Sequence, residues 1–238
     1  MKPARLLLTV LILTAACGCG KAPAPAENRN SKIESRTAET GNPTPETRNQ
    51  KPETPSARPD DFVELVALDP TFVIDIRYAT ENNFMKKKVY PVAKAYLRRE
   101  AAEALVRVQA RLKPQGLGLK IYDGYRPLSV QKLLWAIKPV DRYVADPKKG
   151  SKHNRGAAVD LTLVDLATGA EREMPTGYDD FTERAAPHDE HCTPAARKNR
   201  TTLQEAMTAE GFEIIDSEWW HFDYRTWKRF EISDHPIQ

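Results

Sequence analysis

Two short segments of the chain concentrate residue types that bind metal ions. The first, at positions 151–161, contains His153 and Asp160, and the second, at positions 218–224, contains Glu218 and His221. Two imidazoles and one carboxylate suit a catalytic zinc site, which needs three protein ligands and one open position for water. A glutamate beside the metal but not bound to it is what water activation requires. The residue types therefore predict a hydrolytic centre with one metal ion.

The spacing in the first segment shows how its two ligands would meet. If positions 158–163 form a strand, Asp160 points to the opposite face from its apolar neighbours. Those neighbours would then face the core: Val159, Leu161 and Leu163. His153 precedes the strand, and Gly156 allows the chain to turn and bring the imidazole back over the carboxylate.

The second segment needs an irregular backbone. Glu218 and His221 are three residues apart, and a straight strand would send them to opposite faces. Both reach one metal only if the strand is broken near Trp219. Taken alone, this segment also fits core aromatic residues with His221 as a hydrogen-bonded neighbour. The joint occurrence of the two segments favours the metal centre.

A third cluster contains His188, His191 and Cys192, which are candidates for a second metal site. The cluster lies in a polar run, and no segment with matching ligand types accompanies it. We therefore expect an exposed loop there rather than a metal site.

The composition excludes some classes of function. The chain has 238 residues, of which 40% are hydrophobic and 29% charged, and its formal net charge is +3. Positive charges are scattered among negative ones, without a basic cluster interleaved with aromatic residues. Nucleic acid is therefore not an expected partner, and no protein partner is implied.

The N-terminal residues differ from the rest of the chain. Lys2 and Arg5 precede an apolar stretch at positions 6–13, and small residues then precede Cys17. This order is typical of a signal peptide, and the stretch is too short for a stable membrane-spanning helix. Positions 13–17 resemble the bacterial lipobox, so we predict a signal peptide at 1–17 with lipidation of Cys17. Cys19 offers a poorer alignment, and a plain secretory signal is the alternative.

Positions 18–60 are rich in Pro, Glu, Thr, Asn, Arg and Ser and contain almost no large apolar residues. Such a segment buries too little apolar surface to offset the entropy of ordering, so we predict a disordered tether. The third cysteine of the chain, Cys192, has no partner in a folded segment, and no disulfide framework is implied. The folded domain is expected at positions 61–238.

Hydrophobic periodicity predicts a mixture of helices and strands. We expect strands at 73–78, 119–123 and 157–164, helices at 93–112, 129–139 and 201–210, and a strand pair or one bent strand at 212–224. Pro114 and Gly116 end the first helix, and Ser129 is placed to cap the second. Because helices and strands mix without regular alternation, we expect one α+β domain.

The motifs also resemble a known family. Positions 151–160 read Ser-x-His-x-x-Gly-x-Ala-x-Asp, and positions 218–221 read Glu-x-x-His. This pair is similar to the motifs of the zinc D,D-peptidases, which share a fold with hedgehog signalling domains. Within them, the chain most resembles the D-alanyl-D-alanine dipeptidases, including the vancomycin-resistance type. The matching stretches follow in the expected order: 76–84, 122–127, 151–163, 174–181 and 218–224.

The resemblance implies a fold and a set of roles. The fold would be a single domain with a central, mostly antiparallel sheet flanked by helices. His153, Asp160 and His221 would bind one zinc ion per chain. Glu218 would be the general base, and Arg126 would polarise the scissile carbonyl and stabilise the oxyanion.

Three further residues are predicted to assist the reaction. Ser151 and Tyr78 lie where the family contacts the termini of the dipeptide. Asp123 is expected to orient Arg126 through a charge-assisted hydrogen bond.

The implied activity is zinc-dependent hydrolysis of D-Ala-D-Ala, or of a close D,D-dipeptide, in cell-wall peptide metabolism outside the cytoplasm. One alternative is a D,D-carboxypeptidase that trims terminal D-Ala from peptidoglycan peptides. The other is a lipoprotein that binds peptidoglycan without turnover, which Glu218 and Arg126 disfavour because binding needs neither a base nor an oxyanion donor. The expected partners are the small dipeptide and a membrane, reached through the lipid on the periplasmic or cell-surface side.

Overall fold

The computed structural model describes residues 61–238, which are built around a five-stranded sheet. In chain order the strands are β1 (Phe62–Glu64), β2 (Val73–Ile74), β3 (Tyr96–Arg98), β4 (Leu117–Asp123), β5 (Ala158–Asp165), β6 (Phe212–Ile214) and β7 (His221–Tyr224). The main sheet has the order β2-β4-β5-β7-β6, and β1 and β3 form a separate pair. Neighbouring strands are antiparallel except β2 and β4. The predicted signal peptide, Cys17 and the predicted tether lie outside the described residues.

Four α-helices accompany the sheet: α1 (Leu65–Leu68), α2 (Arg99–Leu112), α3 (Leu128–Ile137) and α4 (Pro194–Ala209). Helices α2 and α4 contact each other and the strands β4, β5 and β6, and this contact forms the hydrophobic core. No helix within residues 61–238 has both the length and the apolar character needed to cross a membrane. The single α+β domain predicted from the sequence is confirmed.

Strand β5 forms the middle of the sheet and is buried on both faces. Its core-facing side chains are the predicted ones: Val159, Leu161 and Leu163. Asp160 and Thr162 alternate with them and are also buried, because loops cover the opposite face. A carboxylate inside this cover needs charged partners or a metal.

The predicted helix at 93–112 begins at Arg99 instead. Tyr96, Leu97 and Arg98 pair with β1, and Leu97 is buried while its two neighbours are half-buried. This alternation is that of a strand, and the apolar residues at 93–97 fit both periods. Gly116, with φ of +70°, ends the following turn as predicted.

Three other boundaries differ from the prediction. The ladder of β2 covers only Val73–Ile74, and the chain then forms a helical turn at Arg77–Ala79. Ser129 does not cap α3, because the helix begins at Leu128 and the Ser129 amide donates to Asp234 at 2.7 Å. Helix α4 begins at Pro194 rather than near 201, since the Thr193 hydroxyl caps it by accepting from the Ala196 amide at 3.0 Å.

Candidate active site

The three predicted metal ligands meet in one buried group. His153, Asp160 and His221 each place a donor atom within 4.8 Å of the others. The His153 Nε2 lies 3.2 Å from the His221 Nδ1, and the Asp160 Oδ1 lies 3.4 Å from the first and 3.0 Å from the second. Donor atoms bound to a tetrahedral zinc ion lie about 3.3 Å apart. The group therefore fits one zinc ion per chain.

Strand register and a tight turn bring these ligands together. Asp160 and His221 are cross-strand partners on β5 and β7. His153 lies in a short helical turn that ends at Gly156, where φ is +67°. A Cβ at Gly156 would also lie 2.4 Å from the ring of Phe62, so both the backbone angle and the packing require glycine. The turn predicted at this glycine is present.

Protein oxygens engage the outer nitrogen of each imidazole. His153 donates from Nδ1 to the Gly124 carbonyl at 2.7 Å, and His221 donates from Nε2 to the Asp223 Oδ1 at 3.0 Å. With these nitrogens protonated, the lone pairs of the two inner nitrogens face the metal position. Lys152 pairs with the other oxygen of Asp223 at 3.0 Å. Asp223 was not identified from the sequence, although its two-residue spacing from His221 places both on one face of β7.

The charged groups at the metal position stabilise one another. Burial opposes ionisation of Asp160, but His153 and His221 outweigh it and hold the pKa of this carboxyl far below its usual range. Burial also disfavours the charged form of His221, yet Asp223 and Asp160 raise the pKa of the imidazole to about 10. A metal ligand must give up that proton, so a divalent cation would take its place.

Arg126 lies beside the metal group in a fixed orientation. Its Nε and Nη2 donate to the Asp123 Oδ2 at 2.9 and 2.7 Å, and its Nη1 donates to the Gln131 Oε1 at 2.9 Å. The Tyr90 hydroxyl holds the other oxygen of Asp123 at 2.9 Å. The predicted contact between Asp123 and Arg126 is present, and the Arg126 Nη2 lies 3.8 Å from the Asp160 Oδ2. Sequence reasoning missed Gln131, because a glutamine within a helix has no distinguishing pattern.

Glu218 is buried and lines the same cavity as the metal ligands. Trp219 and Trp220 form a turn directly before β7, and this turn lets Glu218 and His221 share one cavity despite their spacing. The irregular backbone predicted near Trp219 is confirmed. Burial raises the pKa of Glu218 to about 8, with His221 opposing the shift. A carboxyl whose pKa lies near neutrality is suited to accept and return a proton.

A cavity of about 370 Å³ gathers most of the predicted site. The predicted residues that line it are Tyr78, Arg126, Ser151, His153, Asp160, Glu218 and His221. The Ser151 hydroxyl accepts the His153 amide at 3.2 Å, which leaves its own hydrogen for another acceptor. Asp123 does not line the cavity but lies behind Arg126 and fixes it.

Asp179 also lines the cavity and was not identified from the sequence. Its backbone has φ of +60°, an uncommon angle for a residue with a side chain. The Asp179 Oδ2 is buried and finds no hydrogen-bond partner among residues 61–238. Burial, together with Asp160, raises the pKa of Asp179 to about 7. A carboxylate oxygen that is buried without a partner at a cavity wall fits a cationic group of a ligand. Asp179 lies in the stretch 174–181, whose similarity to the family was the sequence feature that could have identified it.

The third cluster does not form a metal group. His191 is exposed and pairs with Asp189 at 3.1 Å, and Cys192 lies near the carbonyl of the same aspartate. Within the described range, the group around Asp160 is the one set of ligand atoms close enough to hold a metal ion. The cluster is an exposed loop, as expected.

Fold and site together define a class of protein. A buried group of two histidines and one aspartate shares its cavity with a carboxyl of raised pKa and a fixed arginine, as in a metal-dependent hydrolase. A family model described as D-ala-D-ala dipeptidase, Peptidase_M15, matches residues 58–230. The chain belongs to this family, and the family predicted from the sequence is confirmed.

Individual relatives agree with this assignment. The D-alanyl-D-alanine dipeptidase of Escherichia coli (strain K12) is 39% identical over 163 residues, which cover 68% of this chain and 84% of the relative. The D-alanyl-D-alanine dipeptidase of Enterococcus faecium is 35% identical over 176 residues, which cover 63% of this chain and 85% of the relative. Among solved structures, VanYB in complex with D-Alanine-D-Alanine matches with a TM-score of 0.39 and 15% identity, covering 57% of this chain and 75% of that one. The assignment depends on the sequence matches, since this structural likeness is weak.

Proposed function

We propose that this protein is a zinc-dependent D-alanyl-D-alanine dipeptidase. One observation carries the proposal: the metal group, Glu218, Arg126 and Asp179 all line one cavity of about 370 Å³. These residues supply a metal position, a base, an oxyanion donor and a site for an ammonium group. A dipeptide with free termini needs all four.

His153, Asp160 and His221 would hold the zinc ion. A bound zinc ion supplies Lewis-acid chemistry, in which it lowers the pKa of water and polarises a carbonyl group. The contacts of Gly124 and Asp223 with the outer imidazole nitrogens orient both rings before the ion arrives.

Glu218 moves the proton. It takes a proton from the attacking water and delivers it to the departing amine. Because burial raises the pKa of Glu218, the carboxyl holds the transferred proton readily between the two steps. With a cation bound to the neighbouring ligands, the pKa of Glu218 would fall and its resting carboxyl would be ionised.

Arg126 stabilises the negative charge that develops on the scissile carbonyl oxygen. Asp123 and Gln131 fix three of its N–H groups, so the guanidinium does not reorganise during the reaction. Its charge is permanent, and the adjacent carboxylates raise its pKa further against the effect of burial.

The two termini of the substrate would bind different residues of the cavity wall. The substrate ammonium pairs with Asp179, whose Oδ2 has no other partner within residues 61–238. The Ser151 hydroxyl donates to the substrate carboxylate, and Tyr78 lines the wall beside them. An N-acylated peptide would leave Asp179 buried without a cation, at a cost of about 1–3 kcal/mol or more. This disfavours the carboxypeptidase alternative.

The test is D-alanine release by the zinc-loaded protein from two substrates, free D-Ala-D-Ala and an N-acylated peptide that ends in D-Ala-D-Ala. We expect release from the free dipeptide alone. Release from the acylated peptide at a comparable rate would move the assignment to carboxypeptidase. The Asp179→Asn variant sharpens the test, because loss of the charge that pairs with the ammonium should lower kcat/KM for the free dipeptide.

The Glu218→Gln variant tests the non-catalytic alternative. An enzyme loses about 10²–10⁴-fold in turnover when its general base is removed, and it retains zinc. A protein that only binds would show no release in either form and equal affinity for the dipeptide in both.

We further propose that the domain is exported and anchored to a membrane by a lipid on Cys17. The support is the order of charged, apolar and small residues before this cysteine and the polar segment at 18–60. Labelling cells with a fatty-acid analogue tests the proposal: Cys17→Ser should abolish the label and Cys19→Ser should not. Secretion of an unlabelled wild type would indicate the plain secretory signal.

A further inference from the structure

Tyr178 lies directly behind the metal group and has no role in the proposed reaction. Its hydroxyl donates to the Asp160 Oδ2 at 3.0 Å. The residue is partly buried and does not line the substrate cavity. It therefore contacts the metal ligand Asp160 from outside this cavity. A neutral phenol donates one hydrogen, and this hydrogen is committed to Asp160.

The two oxygens of Asp160 therefore have different surroundings. Oδ1 faces the inner nitrogens of His221 and His153, at 3.0 and 3.4 Å. Oδ2 faces the Tyr178 hydroxyl at 3.0 Å and the Arg126 Nη2 at 3.8 Å. One oxygen belongs to the metal group, and the other is held by the phenol.

Packing fixes the position of the phenol. The Tyr178 ring contacts the rings of Tyr122 and Trp220, with centroids 4.6 and 5.5 Å apart. The Arg77 guanidinium lies 5.8 Å from the centre of the same ring. A ring held on several sides keeps its hydroxyl in place without further ordering.

We propose that Tyr178 is a positioning residue. Its hydrogen bond to the Asp160 Oδ2 leaves only Oδ1 to bind the metal and leaves Arg126 available to the substrate carbonyl. Without the phenol, a buried carboxylate oxygen lacks its hydrogen bond and must find another donor or cation. Two candidates are within reach. Arg126 would move 1 Å closer and be withdrawn from the substrate carbonyl, as about 2.8 Å is a usual length for such a pair. Alternatively, both oxygens would turn to the metal and close its open position.

This inference rests on the proposed zinc site, and Tyr178→Phe in the full chain tests it. The matched control is Tyr122→Phe, which removes a hydroxyl from the neighbouring ring without touching Asp160. Two readouts besides activity are measured: zinc affinity by competition with a chelator, and the visible absorption of the cobalt(II)-substituted protein, which reports coordination geometry. We expect Tyr178→Phe to weaken zinc binding about 10–100-fold and to change the cobalt spectrum. Tyr122→Phe should alter neither.

Unchanged zinc affinity and an unchanged cobalt spectrum in Tyr178→Phe would overturn the inference. A wild type that binds no zinc would overturn the proposed metal site and this inference with it, so the two failures are distinguishable. Should the variant not fold, the crystal structure of the zinc-loaded wild type decides. A single Asp160 oxygen on zinc with the other on Tyr178 supports the role, and both oxygens on zinc contradict it.

Discussion

Two regions of the molecule carry paired histidines beside an aspartate, and only one of them forms a metal-binding group. In the first, the His153 side chain is 2% exposed, and its Nε2 lies 3.2 Å from His221. In the second, the loop 188–192, the His191 side chain is 84% exposed and pairs only with Asp189, two residues away. The residue types are similar, but in the first region the ligands come from distant parts of the chain.

This difference shows where metal affinity comes from. Asp160 and His221 are fixed as cross-strand partners, and Asp223 and Gly124 orient the two rings. The entropic cost of bringing the three ligands together is therefore incurred when the protein folds, before a metal ion binds. The loop 188–192 has no such support, and a metal ion would have to order it.

The largest expected effect separates the two regions by their metal content. His153→Ala should abolish bound zinc and D-alanine release together, because two remaining ligands do not make a site. His191→Ala should retain both at the wild-type level. Metal analysis of the purified variants, alongside the D-alanine assay, checks this. Loss of zinc in His191→Ala would show that the metal binds at the loop 188–192 instead of the group around Asp160.

An arginine in each region provides the next comparison. Arg126 is held by Asp123 and Gln131, whereas Arg197 is exposed and donates to the carbonyl of Glu190 in the loop 188–192. Lysine cannot reproduce the fork of Arg126, so Arg126→Lys should lower kcat about 10²–10³-fold. Arg197→Lys should leave kcat unchanged. Steady-state kinetics with D-Ala-D-Ala checks both, and an active Arg126→Lys would remove the oxyanion role.

The sequence was sufficient to predict much of the fold, but not the boundaries of its elements. The alternation around Val159 marked β5 because strand period and burial agree there. At 93–98 the apolar residues fit both periods, and pairing with β1 decided the outcome. The start of α4 was missed because its first two turns contain no large apolar residue and its cap, Thr193, follows an irregular loop. Tertiary contacts settle such cases, and local pattern does not.

Some residues of the candidate site could be predicted from the sequence, and others could not. The ligand triad and Glu218 were predictable, because ligand chemistry restricts the residue types and the motif spacing is specific. Residues that act on those ligands were not. Asp179, Tyr178 and Gln131 reach the site through loops and a helix, and their types are common elsewhere in the chain. Their roles depend on burial and distance, which only the folded structure provides.

From the pKa values of the aspartates in the two regions, we expect only Asp179 to affect the pH dependence of kcat/KM. Burial raises the pKa of Asp179 to about 7, whereas the bond from His191 lowers the pKa of Asp189. If the substrate ammonium pairs with ionised Asp179, as proposed, kcat/KM should fall as pH drops through about 7. Because Glu218 must also be ionised, two groups act on this acid limb, and its slope should exceed one log unit per pH unit. The pH profile of kcat/KM reports these groups in the free enzyme.

The variants Asp179→Asn and Asp189→Asn assign this acid limb. Removing the Asp179 carboxyl should reduce the slope of the limb to about one log unit per pH unit, since a single base then remains. Asp189→Asn should leave the profile unchanged. A limb of the same slope in both variants would show that Asp179 does not bind the ammonium.

The smallest expected effect concerns stability alone. Thr193 follows the exposed loop directly, caps α4 through the Ala196 amide and donates to Glu173 at 2.8 Å. Thr193→Ala should lower the free energy of unfolding by about 1 kcal/mol, and a domain of this size should then lose about 2–4 °C in Tm. Thr201→Ala, an exposed substitution within the same helix, is the control and should leave Tm nearly unchanged. Because the loop 188–192 contributes packing and no ligand, zinc affinity should stay at the wild-type value in both variants. A loss of zinc affinity in Thr193→Ala would mean that the two regions are coupled and that the metal centre depends on order in the loop.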